Sequence, residues 1–204
     1  DELENKVVEV WNGSEFSKTT IYQTSEKSEL IDIVLSDGTL LTCTKYHKFY
    51  ITNNNYNNNY NNNNNKKLIE AQNLKKGMNI ITCDYPVIDN KDKIIDNAYI
   101  LGYTNLFDIS DKFNNDFLNC LNASLNSKLE WLSGYFDSNG YIFRNTKVQS
   151  LHIINNDENV LINIKLILQT CGISCYIKQN TNKVWKLSIS SYCVQQLLNM
   201  GLKT

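Results

Sequence analysis

Residues 131–140 read Trp131-Leu132-Ser133-Gly134-Tyr135-Phe136-Asp137-Ser138-Asn139-Gly140, an apolar helical stretch ending in polar positions and a glycine. On their own these ten residues describe an amphipathic core helix with a glycine stop. The text that follows gives them a context. Two strands are expected at about 141–144 and 148–154, and then Leu161, Ile164, Leu168 and Cys171 recur at helical spacing before Gly172, a C-cap signal. Ile173, Cys175 and Ile177 alternate with Ser174, Tyr176 and Lys178, and Trp185, Leu187 and Ile189 alternate with Lys186, Ser188 and Ser190. Successive strand side chains point to opposite faces, so each of these strands has one apolar and one polar side. Ser190 or Ser191 can cap a last helix carrying Val194, Leu197 and Leu198 and ending at Gly201. The order is αββαββα, and the polar strand faces put Ser150, His152, Tyr176, Lys178, Lys186 and Ser188 on one side.

Upstream the pattern is β. Val7, Val8 and Val10 lead into Trp11, and Asn12-Gly13 is a strong turn signal before Phe16. Ile31, Ile33 and Leu35 recur at alternate positions up to Ser36-Asp37-Gly38, and Leu40 to Cys43 restarts a strand that pairs back as a hairpin. Residues 53–65 hold two tyrosines and otherwise only asparagines, so they offer almost nothing to bury and read as a disordered loop insertion. Leu68, Ala71 and Leu74 before Gly77 suggest a short helical turn, and Met78 to Cys83 another strand.

With 204 residues and 42% hydrophobic content, the chain can bury a substantial core in one large or two small modules. It contains no apolar run long enough to span a membrane and no signal-peptide pattern at its start, so a soluble intracellular protein is expected. Six cysteines form no Cys-x-x-Cys pair, and only His47 and His152 are available as imidazoles, which makes reduced thiols the expectation rather than structural zinc. The net charge of −1 conceals an asymmetry: from Lys128 onward eight basic residues face four acidic ones, a balance of +4 that leaves −5 for the rest. A mildly basic second half suits phosphate contact, and equally a solvated lysine-bearing surface.

The decapeptide and the αββαββα text resemble a LAGLIDADG homing endonuclease. The lead-in Ser124-Leu125-Asn126-Ser127-Lys128-Leu129-Glu130 is similar to the approach to that family's second repeat. The resemblance implies that Ser133 and Gly134 are small so that two such helices can cross closely. It also implies that the strands form a saddle along the major groove of double-stranded DNA, and that the Asn139 position carries an acid holding Mg²⁺ at the backbone. Here that acid is an amide, which lacks the negative charge a hard cation favours. Asp137 remains, at a position that more often supports the helix end in the family but is a possible metal ligand. Ala98-Tyr99-Ile100-Leu101-Gly102-Tyr103 resembles the start of the first repeat's helix, yet Thr104-Asn105-Leu106-Phe107-Asp108 lacks the Gly-Asp-Gly ending. Only some 30 residues separate this segment from the second motif, too few for a full repeat. A deletion running into an Asp108–Phe113 linker is inferred, and the intact repeat could instead dimerise through Ser133 and Gly134.

A second resemblance lies upstream. Asp37-Gly38-Thr39-Leu40-Leu41-Thr42-Cys43-Thr44-Lys45-Tyr46-His47 is similar to the Thr-x-x-His block of inteins and other Hint domains. Val10-Trp11-Asn12-Gly13 with Phe16, and Ala71-x-x-Leu74-x-x-Gly77, resemble inteins carried by ribonucleotide reductase large chains of large DNA viruses. The resemblance implies that His47 protonates a scissile amide nitrogen while Thr44 orients that peptide. Splicing also needs a Cys or Ser first and a His-Asn pair last. The sequence runs from Asp1 to Thr204, so an internal piece is expected, with the exteins as protein partners.

The expected architecture is α+β: a partial all-β Hint module over 1–95, a first-repeat remnant over 96–127 and an αββαββα LAGLIDADG repeat over 128–204. The expected activity is splicing plus DNA cleavage, the latter degenerate. The alternatives are a DNA-binding or maturase-like relict without catalysis, and a β-rich interaction module unrelated to inteins.

Overall fold

The computed structural model describes residues 4–52, 66–104, 115–144, 149–180 and 183–203. The Asn-rich insertion at 53–65 and the Asp108–Phe113 linker lie outside the described residues. The chain divides into two compact units, residues 1–35 with 39–84, and residues 36–38 with 85–204.

The first unit consists of hairpins: β1 (Val7–Trp11) with β2 (Phe16–Thr20), β3 (Leu30–Val34) with β4 (Leu40–Thr44), and β5 (Lys48–Thr52) with β6 (Lys66–Glu70). The first turns where expected. Asn12 Oδ1 accepts from the backbone N–H groups of Ser14 and Glu15 at 2.9 and 3.0 Å, and Gly13 takes φ +103°, a conformation glycine adopts without steric cost. Trp11 and Phe16 face each other across the ladder with ring centroids 5.3 Å apart. Each sheet has only two strands, and among the described residues of this unit the buried apolar side chains are Ile51 and Ala71. Leu68, expected in a helical turn, lies in β6 opposite Tyr50, because pairing with β5 satisfies a whole strand of backbone groups and a single turn does not. The helical turn shrinks to a 3-10 segment, Ala71–Asn73, and the strand expected over 78–83 to one bridge, Ile51 to Ile80.

The second unit holds the core. Its elements run α1 (Ala98–Thr104), α2 (Asn115–Leu121), α3 (Leu125–Asn139), β7 (Gly140–Arg144), β8 (Gln149–Asn155), α4 (Glu158–Thr170), β9 (Tyr176–Gln179), β10 (Trp185–Ile189) and α5 (Ser191–Met200). The strands form an antiparallel sheet in the order β7-β8-β10-β9. Leu151, Ile153, Ile177, Leu187 and Ile189 point to one face and are buried with Leu132, Phe136, Leu161, Ile164, Leu168 and Leu197 from the helices. Local chemistry sets the helix ends. Ser124, Asp157 and Ser190 each accept a backbone N–H at the start of α3, α4 and α5, and Gly201 closes α5 at φ +113°. Gly140 departs from the glycine stop that was expected: its backbone is extended, and the chain passes directly from α3 into β7. A Cβ there would lie 2.6 Å from the Phe136 carbonyl oxygen, so glycine serves close approach and not a left-handed turn. No helix among the described residues is long and apolar enough to cross a membrane.

Candidate nucleic-acid interface and helix crossing

Two helices meet at paired glycines. A Cβ on Gly134 would collide with the Tyr99 carbonyl oxygen and sit 2.8 Å from Tyr103 N, while one on Gly102 would collide with the Trp131 oxygen and sit 3.0 Å from Tyr135 N. The relation is reciprocal: each helix presses its backbone into the gap where the other lacks a side chain. Sequence reasoning identified α1 and Gly134 but not Gly102 as the partner, since the pairing exists only in three dimensions. Ser133 is buried yet does different work. Its Oγ donates to Leu129 O at 2.8 Å and accepts from the Lys203 N–H at 2.9 Å, which ties down the tail beyond α5. Of the two positions expected to carry a homodimer, Gly134 is therefore packed against α1 and Ser133 is bonded to the tail at Lys203.

At the C-terminal end of α3, Asp137 is exposed and its Oδ2 accepts from the Tyr99 hydroxyl at 2.9 Å, another link between the crossing helices. That bond to the carboxylate, followed by burial, raises the Tyr99 phenol above its usual range. Asn139 turns its amide back onto its own helix end, donating to Tyr135 O at 3.2 Å and to Ser138 Oγ at 2.7 Å. Mg²⁺ asks for several hard, preferably anionic oxygens in octahedral array. One carboxylate already engaged by a phenol and one amide do not fit it, and among the described residues no cluster of three His, Cys, Asp or Glu could hold a metal.

The sheet brings the six sequence-assigned residues of the outer face together. In register across the strands lie Tyr141, His152, Ser188 and Tyr176, and beside them Ile154, Lys186 and Lys178. Depth divides them. His152 and Ser188 are 5% and 1% exposed, and a chain of hydrogen bonds runs Ser150 Oγ to His152 Nε2 at 2.9 Å and His152 Nδ1 to Ser188 Oγ at 2.7 Å. Both ring nitrogens are occupied, and the rings of Tyr141 and Phe143 lie 5.4 and 5.8 Å from the imidazole. Burial, then the Lys186 charge, pushes the His152 pKa down. These three groups, expected to read base edges, are hydrogen-bonded to one another. The lysines do face outward: Lys178 is exposed and Lys186 half-buried. Ile154 was missed, although strand alternation counted from His152 and Ser150 would have placed it on this face; Tyr141 and Phe143, on β7, are placed there by the register with β8.

In the first unit, Thr44 and His47 flank the tight turn after β4, with the His47 N–H donating to Thr44 O at 3.0 Å. Ala71 N donates to His47 O at 2.7 Å, and the exposed imidazole packs edge-on to Phe49 at 5.0 Å. The turn brings the two sequence-assigned residues to one place.

Residues 126–199 match the family model of a LAGLIDADG-like domain. Over its full length the chain is also similar, at 27% identity, to a protein of Invertebrate iridescent virus 6 named ribonucleoside-diphosphate reductase large subunit. The chain spans only 28% of that relative, and the match extends over 269 positions against the 204 residues here, so at least 65 positions have no counterpart in this chain.

Proposed function

We propose that this chain is the middle of an intein, a Hint-type splicing module followed by a LAGLIDADG homing endonuclease that retains a nucleic-acid-binding scaffold and has lost its cleavage chemistry. The observation that carries this reading is the crossing of α1 and α3 at Gly102 and Gly134, directly ahead of an αββαββα block that matches a LAGLIDADG-like domain. Two helices held backbone to backbone bring their C-terminal ends together, which is where paired acids would have to sit. The end of α3 offers Asn139 and a Tyr99-bound Asp137, an arrangement suited to fixing the helices and not to holding a dication.

The host assignment rests on the similarity to a reductase large subunit along the entire chain, the first unit included. A plain reductase fragment would account for that similarity but not for the LAGLIDADG-like domain inside it. In the splicing step, His47 protonates the leaving amide nitrogen and Thr44 orients the scissile peptide, with the reductase segments as exteins. The gaps relative to the viral relative support a deleted first repeat, and the intein-less reductase gene is the DNA partner. Sequencing the DNA on both sides of this reading frame is the decisive test. Reductase-coding sequence on both flanks, with a spliced reductase product on expression, is the expected result. An unrelated or absent coding context removes the intein reading and leaves a β-rich interaction module.

A further inference from the structure

The outer face of the β7-β8-β10-β9 sheet shows more ring than hydrogen-bonding edge. Its central polar groups, Ser150, His152 and Ser188, are bonded to one another, and His152 and Ser188 are almost inaccessible. The exposed rings are Tyr141 at 41%, Phe143 at 52% and Tyr176 at 44%, with the aliphatic Ile154 beside them at 46%. Lys178 and Lys186 are directly paired in register, and among the described residues of this face there is no acid. Tyr141 and Tyr176 stand on opposite edge strands, about 14 Å apart by strand spacing, and Phe143 is about 7 Å along from Tyr141.

A duplex covers its base faces by stacking and offers a protein only base edges and phosphates. A surface that has turned its polar tips inward and its rings outward is poorly matched to those edges. An unpaired strand exposes both faces of each base, which stack on aromatic side chains with little dependence on sequence, while a few cations track the phosphates. Building on the nucleic-acid reading above, we propose that this face is a stacking platform for single-stranded nucleic acid, with Tyr141, Phe143 and Tyr176 receiving bases and Lys178 with Lys186 meeting phosphates. The acid-free lysine pair is what distinguishes a polyanion from an uncharged protein partner as the occupant.

The test measures binding of the full chain to a labelled mixed-sequence oligonucleotide as single-stranded DNA, as RNA of the same sequence, and as the annealed DNA duplex. At least one single strand is expected to bind about tenfold more tightly than the duplex, with a shallow salt dependence set by about two phosphate contacts. Tyr141→Ser and Phe143→Ser each reduce single-strand binding about tenfold and leave the weaker duplex binding unchanged, whereas Tyr141→Phe retains it. Duplex binding equal to or tighter than both single strands overturns the platform and leaves the DNA-binding scaffold standing. Binding to none of the three overturns both. The comparison on the unmodified chain decides the matter even if a serine variant fails to fold.

Discussion

Replacing Gly134 with alanine is the most direct test of the crossing. Two effects oppose each other. In a helix interior alanine is favoured over glycine by about 1 kcal/mol, so an uncrowded site would be stabilised. Here the new methyl would overlap the Tyr99 carbonyl oxygen and lie 2.8 Å from Tyr103 N and 2.9 Å from Tyr99 C, all backbone atoms that no rotamer change can move. The helices must part, and parting them by even half an ångström to an ångström forfeits a quarter to a half of each dispersion contact along the seam. Overpacking of this kind costs about 1–3 kcal/mol even where side chains can yield. With a rigid obstacle the upper end applies, and after the propensity gain the net loss is about 2 kcal/mol. Urea unfolding followed by near-ultraviolet circular dichroism, to which the stacked Trp131 and Tyr135 rings contribute, reads it as a midpoint lowered by about 1 M. Asn126→Ala, on the exposed side of α3, is the control and stays within about 0.5 kcal/mol of wild type. Adding Gly102→Ala costs less than its effect alone, because both methyls press on one gap. A Gly134→Ala protein as stable as wild type, or more so, refutes the close crossing.

In a precursor rebuilt with terminal Cys and His-Asn residues and flanking exteins, His47→Ala abolishes N-terminal cleavage and Thr44→Ala slows it less; normal cleavage by the His47 variant removes that imidazole from the mechanism. The unmodified chain leaves the intein-less reductase gene uncut in Mg²⁺ or Mn²⁺, and metal-dependent nicking on a gel would mean that another carboxylate, Asp137 first, holds an ion. Because burial holds His152 below its ordinary 6.5, the unfolded chain takes up a proton there before the folded one does. Its contribution to stability is thus complete above that pH and is lost as pH falls toward the folded value, a trend that His152→Asn abolishes in parallel urea titrations. Lys128 is fully buried with Nζ donating to Ile88 O at 2.8 Å, and burial lowers its pKa from 10.5. Between the lowered value and 10.5 only the unfolded chain carries the proton, so wild-type stability relative to Lys128→Met rises with alkaline pH, and parallel curves would contradict the assignment.

The αββαββα block was legible because several local signals agree there: Ser190 as a cap, Gly201 as a left-handed stop, and strict alternation through Ile173–Ile177 and Trp185–Ile189. Where signals compete, the reading failed. Leu68 and Ala71 fit a helical period, but β6 pairs with a strand on the far side of the Asn-rich insertion, which no local window contains. α2 has seven residues and gives too little periodicity to be noticed. Alternation located the outer face of the sheet yet could not give depth, and depth is what separates a buried His152 from an exposed Tyr176.

The same limit governs the catalytic question. Sequence shows that position 139 is an amide, but what Asp137 can bind depends on where its carboxylate is held. The crossing bears on the reading proposed above, because Gly102 and Gly134 bring the helices close enough for the Tyr99 hydroxyl to reach Asp137 across the seam. A carboxylate recruited to join two helices is restrained on one of its oxygens and contributes to their packing. Asn139→Asp therefore adds one charge beside an Asp137 already held by Tyr99, and under the endonuclease reading proposed above this variant leaves the DNA uncut in Mg²⁺ or Mn²⁺, whereas metal-dependent cleavage by it refutes that role for Asp137.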